Sequence, residues 1–218
     1  MVPGFTALQT NTINRRKSSL YRYGLAHYFA GLPIESRIKL FEPYNRPISR
    51  EPYNLNEPEK HYIEKSGVDP RILPFLPRAY DEIERLLDEL TDRLVVSYAG
   101  TTVERRGLEE LASLMGIDMP RIYFVDVRDL FDVFYPNALD KGLIAGRKKA
   151  HICQFLELEY HSTRRGLNDA YASGNIFSTL YQQHRLDGES AFDFSSRHGC
   201  VVTLHNRRIP SWAGEEHT

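Results

Sequence analysis

The chain has 218 residues and sets 28 Lys and Arg against 29 Asp and Glu, a formal net charge of -1. That balance excludes a globally basic nucleic-acid binder, so any such surface must be local. With 41% hydrophobic and 26% charged residues the composition excludes a disordered polyelectrolyte, and the length suits one sizeable core plus an appendage.

In chain order, residues 5–10 read as a buried first strand, followed by the basic turn Asn14-Arg15-Arg16-Lys17. Strands over about 19–29 and 34–42 flank Gly31-Leu32-Pro33, a short hairpin connection. Residues 43–58 carry four prolines with Tyr44 and Tyr53 and read as an irregular contact loop. A short helix over 59–65 ends at Gly67, and Pro77 opens an amphipathic helix with Ile83, Leu86, Leu87 and Leu90 on one stripe. Residues 94–98 form a β run, 103–115 a helix stopped by Gly116, and 122–125 another strand. Residues 150–160 and 165–184 are helical; beyond 187 the pattern weakens to a strand over 200–205 and a mobile tail. Three antiparallel-type strands and then strand–helix alternation predict an α/β fold, a mixed sheet flanked by helices. The expected division is one domain over 1–186 and a C-terminal extension over 187–218.

Two cysteines, Cys153 and Cys200, are too few for a disulfide framework and suit a reducing compartment. No apolar run approaches membrane-spanning length, and the N-terminus lacks the apolar stretch of a secretory signal. The expectation is a soluble intracellular domain with no membrane contact.

Gln9 and Asn11 project from one face of the first strand. A pair of carboxylates at that spacing on a first strand holds divalent metal in many phosphoryl-transfer enzymes; here the spacing survives and the charge does not. Further along, Tyr23-Gly24-Leu25-Ala26, Ser66-Gly67-Val68-Asp69, the stretch 95–108 with Glu104, Tyr123-Phe124-Val125-Asp126 and Arg164-Arg165-Gly166-Leu167-Asn168-Asp169-Ala170 follow in order. By the order and spacing of these segments, residues 4–184 resemble the DEDDh-type 3′-to-5′ exonuclease domain, a ribonuclease H-like fold. The resemblance puts Gln9 and Asn11 where the first Asp-x-Glu motif stands and Glu104 at the second-motif acid. It puts Asp169 at the last carboxylate and Arg164 where the catalytic histidine falls.

What the resemblance implies is in-line phosphodiester cleavage with two Mg²⁺ about 4 Å apart. Magnesium wants hard anionic oxygens, and this chain keeps only Glu104 and Asp169 of four acids. Arginine stays protonated, so Arg164 cannot act as general base; His161 is the residual candidate, against an ordinary polar residue at a helix start. Arg164 either clamps a phosphate or pairs with Glu104 or Asp169, the structural pairing being preferred.

The expectation is therefore a catalytically degenerate, exonuclease-like scaffold without a catalytic site or resident metal. It would bind protein partners and single-stranded RNA or DNA in a nucleic-acid-handling complex. Protein partners would dock on the loop over 43–58 or on the tail with Arg207, Arg208 and Trp212. Arg15, Arg16, Lys17 and Arg164 are the candidate nucleic-acid contacts, with a solvated hairpin turn as the other reading of residues 15–17. One alternative is an active divergent exonuclease using Glu104, Asp169, His161 and Asp126, with Mg or Mn required only in that case. The other is a structural homo-oligomer subunit without nucleic acid. Two zinc-type groups, His151-x-Cys153 with His161 and His198-x-Cys200 with His205, lack Cys-x-x-Cys spacing and read as scattered histidines. Tyr21, Tyr23, Tyr28 and Phe29 read as strand packing rather than base-stacking platforms.

Overall fold

The computed structural model describes residues 4–12, 20–42, 60, 63–64, 67, 76–98, 104–160 and 166–204. The basic turn 14–17, the proline-rich loop 43–58, His161, Arg164, His205 and the tail with Arg207, Arg208 and Trp212 lie outside the described residues.

Among the described residues, strands β1 (Phe5–Thr12), β2 (Leu20–Phe29), β3 (Leu32–Leu40), β4 (Leu94–Ser97), β5 (Ile122–Asp126) and β6 (Val201–Leu204) form one sheet. Its order is β3-β2-β1-β4-β5-β6. β1–β2 and β2–β3 are antiparallel, β1–β4 and β4–β5 parallel, and β6 runs antiparallel to β5. The antiparallel and parallel halves meet at β1, which is the ribonuclease H-like mixed sheet expected from the sequence.

Strand alternation sends the two faces of β1 into separate cores. Leu8 joins Leu25, Val95 and Phe124 beneath helices α1 (Ala79–Leu90) and α2 (Glu104–Met115). Phe5 and Ala7 join Ala26, Tyr28, Val96 and Val125 on the opposite face. That face is covered by α3 (Val127–Phe134), α4 (Lys149–Phe155), α5 (Gly166–His184) and α6 (Ala191–Arg197). In α1, Ile83, Leu86, Leu87 and Leu90 are buried at the i, i+3, i+4, i+7 spacing of an amphipathic helix. The carboxylate of Asp126 starts α3, accepting the Arg128 backbone N–H at 3.0 Å.

The long helix α5 positions the site, and small residues seat it on the sheet. A Cβ on Gly24 would stand 2.3 Å from the carbonyl carbon of Gly166, and one on Gly174 would stand 2.3 Å from the Tyr28 ring. Only glycine at these contacts lets α5 lie against β1 and β2.

Two local expectations differ from the structure. The hairpin turn is Ala30-Gly31, both at positive φ (51° and 83°), so Leu32 and Pro33 belong to β3. The helix expected over 150–160 ends at Phe155, with Leu156 as its C-cap and Glu157 beyond it in the left-handed region (φ 57°). Beyond residue 186, Phe194 is fully buried among Phe134, Phe177 and Tyr181, and β6 extends the sheet where a strand was expected over 200–205. Tyr21, Tyr23 and Tyr28 are buried, whereas Phe29 is exposed. No helix of the described residues is long and apolar enough to cross a membrane.

Candidate functional site

The odd-numbered face of β1 that buries Phe5 and Ala7 continues to Gln9 and Asn11 at the carboxyl end of the strand. Gln9 pairs in register with Gly24, and Asn11 with Arg22. The helix starts of α2, α4 and α5 bring Glu104, Lys149 and Asp169 to this end.

Gln9 Nε2 donates to Glu104 Oε1 at 2.8 Å, and the Thr10 backbone N–H reaches the same oxygen at 3.4 Å. Glu104 has no solvent exposure. A second carboxylate at position 9 would face that anion at hydrogen-bond distance and repel it; the amide supplies a donor instead. The other end of the amide accepts from Lys149 Nζ at 3.1 Å. These two partners, a carboxylate and an ammonium, fix which end of the amide is oxygen.

Lys149 is the first residue of α4 and only 8% exposed. Besides Gln9 it donates to the Asp169 backbone carbonyl at 2.8 Å and stands 3.7 Å from Asp169 Oδ1. The face of the Tyr98 ring lies 5.4 Å away. Burial pulls its ammonium below the ordinary lysine value, and the charges of Asp169 and Glu104 work against that pull. Asp169 Oδ1 also accepts from the Tyr160 hydroxyl at 2.7 Å. Asn11 is held in a parallel way: its Oδ1 accepts from the buried Arg22 at 3.2 Å, close beneath Gly166.

The natural residues therefore do not fit a pair of divalent cations. Both amide oxygens are neutral, both already bind a protein cation, and the ammonium stands among the oxygens that would have to turn to a metal. Among the described residues no group of three His, Cys, Asp or Glu side chains is arranged to hold a metal ion. Of the zinc-type groups, His151 Nδ1 is 3.1 Å from the Gly146 carbonyl and His198 packs on Phe134 and Phe194, while His161 and His205 lie outside the described residues. Burial pushes the thiols of Cys153 and Cys200 up to about 11, so neither is a thiolate at neutral pH.

The structure thus brings together Gln9, Glu104 and Asp169 of the residues singled out in the sequence. Asn11 lies beside them on β1, and Asp126 caps α3. Lys149, Arg22 and Tyr160 were not anticipated. A signal for Lys149 was present, because it precedes Ile152 and Cys153 by three and four residues and so begins the inward stripe of α4. Within Arg147-Lys148-Lys149 it reads instead as one of a solvated basic run.

No protein-family model and no curated protein sequence matches the chain. Solved structures of exonuclease I do. One structure of exonuclease I superposes with a TM-score of 0.63 at 11% identity, covering 89% of this chain and 43% of that one. The zinc-bound complex of Escherichia coli exonuclease I with single-stranded DNA gives 0.63 at 12% identity, with coverage of 89% and 43%. A complex of exonuclease I with SSB and an inhibitor gives 0.63 at 11%, with coverage of 91% and 45%. At this identity the likeness establishes an exonuclease-like fold, and the chain spans less than half the length of these neighbours.

Proposed function

We propose that this chain is an exonuclease-fold domain that does not turn over phosphodiesters and works inside the cell as a binding scaffold in a nucleic-acid-handling assembly. The observation that carries the reading is the Gln9–Glu104 pair, in which an amide donates to one oxygen of a fully buried carboxylate that a nuclease would present to metal. Single-stranded nucleic acid and a protein component are the partners. The reading is supported by neighbours solved with single-stranded DNA and with SSB. The candidate contacts to phosphate are Arg164 and the turn residues Arg15, Arg16 and Lys17, whose guanidinium and ammonium donors match phosphate oxygens without an intervening cation.

The test is anisotropy with a labelled single-stranded oligonucleotide. Affinity should fall with salt and be indifferent to EDTA. Reversing one charged phosphate contact in Arg164→Glu should weaken binding roughly tenfold or more, while Arg207→Glu in the tail does less. Unchanged binding in Arg164→Glu would remove Arg164 from the binding surface and leave protein docking as the function.

A further inference from the structure

We infer that Lys149 is a built-in cation: its ammonium takes the place, in charge and in position, of a divalent ion at the carboxyl end of β1. This rests on the scaffold reading and says how an acidic nuclease centre is stabilised once metal is dispensed with. Four observations converge on it. The side chain is buried although lysine is rarely so. Around its nitrogen stand oxygen acceptors and a π face: Gln9 Oε1, the Asp169 carbonyl, Asp169 Oδ1 and the Tyr98 ring. Two of these oxygens accept hydrogen bonds, and the third, the Asp169 carboxylate at 3.7 Å, is placed to pair with the charge of an ammonium.

Two carboxylates stand in the same cluster, Glu104 fully buried and Asp169 partly so, and an uncompensated pair there is costly. The placement also runs against local preference. The first position of a helix favours acids, so the cluster rather than α4 accounts for a cation there.

Arg22 repeats the arrangement one step along the strand. Its Nε binds Asn11 Oδ1 as Lys149 binds Gln9 Oε1. Each amide that stands where a ligand carboxylate would be thus has its oxygen turned to a protein cation. Lysine serves as the compact point charge and arginine as the planar donor.

The decisive experiment compares the natural chain with Lys149→Ala in melting-temperature measurements with Mn²⁺ and with EDTA. The natural chain should be indifferent to both. Lys149→Ala vacates the space among Gln9 Oε1, Asp169 and Glu104, and should melt lower and be restored by Mn²⁺ in a saturable way that EDTA reverses. A Lys149→Ala chain that Mn²⁺ leaves unchanged would overturn the inference, while the absence of nuclease turnover in the natural chain would keep the scaffold reading standing. Stabilisation of the natural chain by Mn²⁺ would overturn the inference directly.

Should Lys149→Ala not fold, ¹⁵N spectra of the natural chain's lysine side chains decide. A protected ammonium resonance at neutral pH, missing in Lys149→Arg, is expected. A neutral-amine resonance for Lys149 would overturn the assignment.

Discussion

Gly24→Ala should destabilise the chain by at least about 3 kcal/mol, because the added methyl meets backbone rather than a movable side chain. In β2 the nearest atoms to a Cβ at this position are the Gly166 carbonyl carbon and oxygen and the Leu167 nitrogen, at 2.3, 2.5 and 2.5 Å. Relief requires lifting the first turn of α5 off the sheet. That turn holds Asp169, whose carbonyl and carboxylate face Lys149 and whose Oδ1 is bound by Tyr160. For a chain of this size the loss corresponds to a fall of roughly 10 °C in melting temperature. Chemical denaturation measures it directly. A Gly24→Ala chain within about 1 kcal/mol of the natural one would mean that α5 is not seated on β2 as described.

Restoring the first-strand carboxylates should not restore a nuclease. In Gln9→Asp combined with Asn11→Glu, Glu104 loses the amide donor at 2.8 Å and gains an anion in its place. Lys149 and Arg22 remain where the new carboxylates can pair with them, so the added charge is absorbed by protein cations. The position that the exonuclease resemblance gives to the general base is occupied by Arg164, and arginine holds its proton. The double variant should melt lower than the natural chain and show no Mg²⁺-dependent trimming of a labelled oligonucleotide. Full turnover in the double variant would show that Lys149 does not stand in the way of metal.

The sheet was legible because its signals are local and redundant. The stripe Ile83, Leu86, Leu87, Leu90 marks α1, and the alternation through Phe5, Ala7, Gln9 and Asn11 marks the inward face of β1. Glu104 and Asp169 were recognisable as candidate site residues because each stands in the first turn of a helix whose apolar stripe points inward: Leu108 and Leu111 follow Glu104, and Ala172, Ile176 and Leu180 follow Asp169.

What could not be read was which cation meets which oxygen. Lys149 and Gln9 are 140 positions apart, and their contact exists only because α4 folds over the end of β1. Arg22 was hidden for a different reason. It sits between Tyr21 and Tyr23 in a strand whose aromatics dominate the pattern, and only the β1–β2 register places it opposite Asn11. The weak pattern after residue 187 concealed α6, a seven-residue helix whose main core contribution is the single residue Phe194.

The central claim, that this exonuclease-like fold carries amides and protein cations in place of a working metal centre, is tested most directly by 3′-end shortening. The substrate is a 5′-labelled single strand incubated with the natural chain and either Mg²⁺ or Mn²⁺ at neutral pH. The expected result is a full-length strand with both ions. Metal-dependent shortening that disappears in Asp169→Ala would contradict it.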